Sequence, residues 1–223
     1  MALISPTDQD VLRKQFAEMT RPVRLVFFTQ TIGCETCLET RRILDELPAL
    51  TDKISIEEVN FVLDKDKAAP YGIDRVPAIA LAYEGGDSRI RFLGAPAGYE
   101  FISLVQAVLL VGGRPSTLSD GNRTRLAAVV TPLTLRVFTT PTCPHCPRAV
   151  SLAHEMAFAS AHITAYAVEA TEFPDLARRY TVNGVPKTVV SGPDASSEVV
   201  EILGALPPDD FIAQALGDEA AGA

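Results

Sequence analysis

The chain has 223 residues, enough for one large domain or two small ones and too few for three. With 47% apolar and 22% charged residues it is composed like a packed globule rather than a disordered or fibrous chain, and four cysteines are too few for a disulfide-stapled secreted scaffold. A net charge of −8 without a basic tract argues against nucleic acid as a partner, because phosphate-backbone affinity comes from clustered Lys and Arg.

The start, Met1 to Asp8, shows neither the basic nor the apolar stretch of a secretory signal. Ser5-Pro6 then supplies a capping hydroxyl and a first-turn proline, with Leu12, Phe16 and Met19 following at helical spacing. The pattern predicts a buried strand over 23–29, and a helix carrying Leu38, Ile43, Leu44 and Leu47 up to Pro48. A second strand over 55–62, a short helix or turn over 64–71 and a third strand over 78–83 follow. Gly85-Gly86-Asp87 signals a hairpin into a fourth strand over 89–93, and an amphipathic helix over 99–111 closes the series. That helix holds the longest apolar stretch, interrupted by Ser103 and Gln106 and far short of the 18 residues a membrane span needs. The reading is a soluble, cytoplasmic protein with no membrane partner, in a compartment where cysteines serve redox chemistry or metals more often than structure.

Beyond Gly112-Gly113-Arg114-Pro115-Ser116 the order repeats. The pattern predicts helices near 123–130, over 144–158, over 172–180 and from about 209, with strands over 134–139, 163–168, 187–190 and 199–203. The motif Cys34-Glu35-Thr36-Cys37 recurs as Cys143-Pro144-His145-Cys146 at an offset of 109, and Val76-Pro77 recurs as Val185-Pro186 at the same offset. Gly94 and Phe101 pair with Gly204 and Phe211 at an offset of 110. Two copies of one unit follow, residues 1–113 and 114–223.

A C-x-x-C pair that follows a strand, with its first cysteine opening a helix, sets that sulfur among unsatisfied N–H groups at the positive end of the helix dipole. Both favour the thiolate, the form that attacks disulfides. The second thiol lies within reach of the mixed disulfide made by the first and resolves it. Cys34, Cys37, Cys143 and Cys146 are therefore the candidate catalytic residues. A shared zinc site fits poorly, because zinc ribbons bring their pairs within about 15–20 residues, whereas Cys143 follows Cys37 by 106. His154 and His162 lack ligand partners at suitable spacing and read as surface or half-buried residues, so no metal is assigned.

These motifs resemble the protein disulfide oxidoreductases of thermophiles, a glutaredoxin-like family, and each half resembles a thioredoxin-fold domain. The resemblance implies an α/β protein of two tandem thioredoxin folds, each a central mixed four-stranded sheet flanked by helices. It implies that Pro77 and Pro186 are cis and that the backbone of Val76 and Val185 pairs with substrate. Pro186-Lys187-Thr188-Val189 matches the family's run into the third strand. The implied activity is thiol–disulfide exchange with protein substrates as reductase, oxidase or isomerase, without a bound cofactor and with a thioredoxin-reductase-like electron donor.

The two sites differ in their inner residues. Pro144-His145 is the dipeptide of strongly oxidising thiol oxidases, and an imidazolium beside Cys143 would favour its thiolate. A pair of charges at ~4 Å supplies about 4 kcal/mol, against roughly 7 kcal/mol separating thioredoxin from such an oxidase. His145 alone does not make an oxidase. Glu35 beside Cys34 works the other way, raising the thiol's pKa and making the first pair more reducing. The sequence thus predicts that Cys143 leads on protein substrates and that Cys34–Cys37 relays or sets the potential. Two other functions stay open: a dithiol relay feeding a peroxidase, and a tandem thioredoxin-fold adaptor or chaperone with little redox activity.

Overall fold

The computed structural model describes residues 3–193 and 200–217. The first half runs α1 (Pro6–Ala17), β1 (Val23–Thr29), α2 (Cys37–Asp45), β2 (Ile54–Asn60), α3 (Lys65–Ala68) with a 3-10 turn to Tyr71, β3 (Ala78–Tyr83), β4 (Gly86–Leu93) and α4 (Tyr99–Val111). The second runs α5 (Asp120–Ala127), β5 (Leu133–Thr139), α6 (Cys146–Ala159), β6 (Ile163–Glu169), α7 (Pro174–Arg179), β7 (Lys187–Ser191), β8 (Val200–Leu203) and α8 (Pro208–Leu216). This is the predicted order, displaced by a few residues at several ends. The predicted start of the last strand, Val199, and the tail beyond Gly217 lie outside the described residues. No described helix is long and apolar enough to cross a membrane.

Ser5 and Ser119 begin the two halves in the same way, each hydroxyl accepting a backbone N–H three residues on, from Asp8 and Asn122, at 3.2 Å. This satisfies one of the orphan donors of the helix start.

The eight strands among the described residues form one sheet in the order β2-β1-β3-β4-β6-β5-β7-β8. Each half contributes the expected mixed four-stranded unit, with β1 parallel to β2 and antiparallel to β3, and β5 parallel to β6 and antiparallel to β7. The units are fused where β4 pairs in parallel with β6, from Ile90↔Ala165 to Leu93↔Val168. The repeat explains why the sheet continues there and stops at its ends. At an offset of 109, Tyr166 and Ala167 of β6 stand where the outer strand β2 has Glu57 and Glu58. Ile90-Arg91-Phe92 of β4 corresponds to Val200-Glu201-Ile202 of the outer strand β8 at an offset of 110, with one charged residue in each; Arg91 is buried in its pair with Asp87, whereas Glu201 is exposed. Charged side chains on an outer strand oppose pairing with another chain, while the inner pair can be buried.

Alternation along the strands divides the core between the two faces of the sheet. Leu25, Phe27, Ile79, Leu81, Leu135 and Val137 pack with the long helices, whereas Phe28, Ala78, Phe138 and Val168 pack with α3 and α7 on the opposite side. Both clusters run through both halves, and α4 packs directly on α6. Each large side chain withdrawn from water here contributes about 1.5–3 kcal/mol, and both clusters are shared by the two halves. Phe27, Phe28 and Phe138 are fully buried, as the strand pattern predicts.

His154 departs from expectation. It is 1% exposed, edge-on to Phe92 with ring centroids 5.0 Å apart. Burial pushes its pKa down to about 3, so the ring is neutral. The sequence shows it as a polar residue within a helix; the packing of α6 on β4 turns it inward.

Candidate active sites

Both C-x-x-C motifs are closed disulfides, Cys34–Cys37 and Cys143–Cys146, each spanning 5.5 Å between Cα atoms. They follow corresponding strand ends: Thr29 accepts the Phe61 N–H at 2.8 Å, and Thr139 accepts the Ala170 N–H at 3.0 Å. From Thr29 to Cys34 the loop holds four residues, turned by Gly33 at φ +75°. From Thr139 to Cys143 it holds three.

The expectation that the first cysteine opens the helix needs correction. The helices begin at the second cysteine, α2 at Cys37 behind Thr36 and α6 at Cys146 behind His145. The first cysteine therefore lies in front of the helix end rather than within its first turn. At the second site the Cys146 N–H donates to Cys143 Sγ at 3.1 Å. Pro147 in the first turn costs nothing, because no carbonyl there needs its missing N–H. Cys37, Cys143 and Cys146 are buried and Cys34 is half-buried. Glu35, Pro144 and His145 all lie exposed on the outer side of their loops.

The Val76–Pro77 and Val185–Pro186 peptide bonds are cis. Each proline carbonyl accepts a glycine N–H from the end of the neighbouring strand, Gly94 to Pro77 at 3.0 Å and Gly204 to Pro186 at 2.9 Å. Beyond that the two walls differ. Next to Pro77, Arg75 pairs with Asp175 of α7 at 2.9 Å, and Tyr166 Oη donates to the Gly72 carbonyl at 3.2 Å, both across the halves. The Pro186 wall opens on a cleft of about 610 Å³ lined by Thr181, Asn183, Val185, Pro186 and Lys187.

The strands β1, β4, β6 and β5 run in the same direction, so both dithiols emerge from the same end of the sheet. Four strand steps separate β1 from β5, about 19 Å at the usual spacing. Three carboxyl groups occupy the ground between. Glu100, on the first turn of α4, accepts the Thr139 hydroxyl, while its second oxygen is buried without a partner. Burial, reinforced by the charges of Glu169 and Glu172, pushes its pKa up to about 9. Glu169, at the end of β6, accepts the Glu172 N–H at 2.6 Å. Glu172 accepts the hydroxyl of Thr36, inside the first motif, and the Ala95 N–H at 2.7 Å.

None of the three stands out in the sequence, where acids in a strand end, a loop and a helix start read as solvated. The internal repeat carries the available signal: Glu172 occupies the position of Leu63, and Glu100 that of Asp210.

Among the described residues no three His, Cys, Asp or Glu side chains are grouped to hold a metal ion. Two oxidised C-x-x-C pairs, one on each thioredoxin-type half and each half also carrying a cis-proline, define the class of thiol–disulfide oxidoreductases. Comparison with known proteins supports that class. The Thioredoxin domain family model matches residues 133–217. The crystal structure of a protein disulfide oxidoreductase from Aeropyrum pernix is similar at a TM-score of 0.82 and 30% identity, with 93% of this chain and 90% of that chain covered. A structure of the alkylhydroperoxide reductase AhpF from Enterococcus faecalis is similar at a TM-score of 0.84 and 28% identity, covering 94% of this chain and 97% of that one. Among curated relatives, the corresponding alkyl hydroperoxide reductase component of Escherichia coli is 26% identical over 181 residues, covering 81% of this chain and 32% of the relative. The chain thus spans about a third of the length of the curated relatives it matches. The chain belongs to the protein disulfide oxidoreductase family of tandem thioredoxin-fold proteins.

Proposed function

We propose that the two units, residues 1–113 and 114–223, carry electron pairs between protein dithiols and disulfides, with Cys143–Cys146 as the pair that meets substrate and Cys34–Cys37 as the second station. The observation that supports this most is the difference between the two cis-proline walls. The Pro186 wall borders an open cleft, and the Pro77 wall is tied to the opposite half by Arg75–Asp175. The Cys146 amide on Cys143 Sγ adds a donor that favours a thiolate there.

In the reducing direction the Cys143 thiolate attacks a substrate disulfide. A Cys143–substrate bond forms and the substrate's second sulfur leaves as a thiolate. Cys146, once deprotonated, attacks Cys143; the Cys143–Cys146 disulfide closes, and the remaining substrate thiolate departs. Two electrons have passed to substrate, and its two thiolates take up protons. Returning the enzyme to the dithiol needs an external dithiol or a thioredoxin-reductase-like donor. Val76 and Val185 present backbone to the substrate segment beside Pro77 and Pro186, while Glu35, Pro144 and His145 set the balance between thiol and thiolate. The exchange uses no bound cofactor and takes place in the cytoplasm, where catalytic rather than structural disulfides are the rule.

Insulin reduction by Cys34→Ser and Cys143→Ser variants tests this reading. The second is expected to lose more than 90% of activity and the first to retain a substantial share; equal losses contradict it. A dithiol relay to a peroxidase is the second reading, favoured by the likeness to the alkylhydroperoxide reductase AhpF. Peroxide consumption with a purified peroxidase and an electron donor separates the two.

A further inference from the structure

Thr36 stands directly before α2, as its N-cap, yet its hydroxyl caps nothing. A threonine there ordinarily turns its oxygen onto an amide of the first turn. Here the hydroxyl points away from its own helix and donates to Glu172 of the other half. The same carboxylate reaches in a second direction: Glu172 Oε1 accepts the Ala95 N–H at 2.7 Å, and Gly94, one residue earlier, donates to the Pro77 carbonyl at 3.0 Å. One side chain from the second half therefore bridges the dithiol loop and the cis-proline wall of the first site.

The approach is close enough to need glycine. A Cβ on Gly94, whose φ is +98°, would lie 2.6 Å from Glu169 Cβ and 3.1 Å from Glu172 Oε1. The arrangement has no counterpart at the second site. The repeat places Leu63 where Glu172 stands, and Leu63 is 80% exposed; it places His145 where Thr36 stands, also exposed.

We propose that Glu172 is a positioning residue for the first dithiol, supplied by the opposite half, and that by engaging Thr36 it holds Cys34–Cys37 on the reducing side of its range. With Glu172 in place, a carboxylate lies beside the loop and the Thr36 hydroxyl is occupied. Without it, the nearby negative charge is gone and the hydroxyl is free to turn toward the Cys34 sulfur. Both changes favour the Cys34 thiolate and hence the dithiol. Burial first, then the charges of Glu169 of β6 and Glu39 of α2, raise the proton affinity of Glu172 against the hydrogen bonds from Thr36 and Ala95, which lower it; Glu100 of α4 also faces it and is protonated. This bridge therefore strengthens as pH rises and Glu172 ionises.

The inference rests on the reading of Cys34–Cys37 as a redox pair. Its test is the equilibrium of that pair with glutathione in the full chain carrying Cys143→Ser and Cys146→Ser, measured by alkylation and mass spectrometry at pH 8. Glu172→Ala is expected to shift the equilibrium toward the dithiol about tenfold, equivalent to roughly 30 mV, and to lower the Cys34 pKa in an alkylation pH profile. In a Thr36→Val background the same substitution is expected to have at most a third of that effect. Glu172→Gln, which retains one acceptor and the side-chain volume, serves if the alanine variant does not fold, with the same direction expected. An unchanged equilibrium with a lowered melting temperature, or an equal shift in both Thr36 backgrounds, would overturn the positioning role. A pair that forms no internal disulfide in any buffer would instead remove the underlying redox reading.

Discussion

The carboxyl of Glu100 in the first half accepts the hydroxyl of Thr139 in the second, at the strand end that leads into Cys143. Folding holds a proton on Glu100 up to about pH 9, whereas the unfolded chain releases it near the ordinary value of 4.5. Between those values the folded state binds the extra proton. The stability this group contributes is therefore complete below about pH 4.5 and is lost as pH rises toward 9, by at most about 1.4 kcal/mol per pH unit. Glu100→Gln has no proton to lose. Urea midpoints for the two proteins should move in the variant's favour as pH is raised from 5 to 9; parallel curves would show that Glu100 ionises freely in the fold.

Gly94 and Gly204 occupy the same position in the two halves, and both have positive φ, +98° and +78°. Alanine at Gly204 meets no atom within 4 Å and should cost only the left-handed backbone term, about 1–2 kcal/mol. Alanine at Gly94 adds an overlap with Glu169 Cβ at 2.6 Å, worth about 1–3 kcal/mol more. Denaturant unfolding of Gly94→Ala and Gly204→Ala compares the two; equal losses would mean that the halves do not press together at this point.

The outer strand β2 carries Glu57 and Glu58, paired with Arg24 and Arg41, where β6 carries Tyr166 and Ala167. Giving β2 the inner sequence through Glu57→Tyr and Glu58→Ala should allow β8 of a second molecule to add to β2 as β4 adds to β6. Sedimentation velocity is expected to show concentration-dependent association of the variant relative to the parent chain. No change would mean that charge is not what ends the sheet.

The tandem repeat, the four cysteines and both Val-Pro pairs were legible because each is a local signal at a fixed spacing. The fusion of the two sheets was not, since the β4–β6 pairing joins Ile90 to Ala165 across about a third of the chain. The carboxyl groups between the sites were hidden for the same reason. Glu172 reads as a loop acid until the opposite half brings Thr36 and Ala95 to it. Position-by-position comparison of the halves would have marked these places, because the repeat breaks where one half touches the other: Leu63 against Glu172, and Glu57-Glu58 against Tyr166-Ala167.

The chain holds two dithiol–disulfide centres, each of which closes on its own pair of cysteines. Equilibrating the intact protein in glutathione buffers from fully reducing to fully oxidising, trapping with an alkylating agent and mapping the peptides tests this most directly. Four alkylated cysteines are expected at the reducing limit and none at the oxidising limit, where Cys34 is linked only to Cys37 and Cys143 only to Cys146. Cysteines that remain alkylated in oxidising buffer, or a disulfide joining the two motifs, would contradict it.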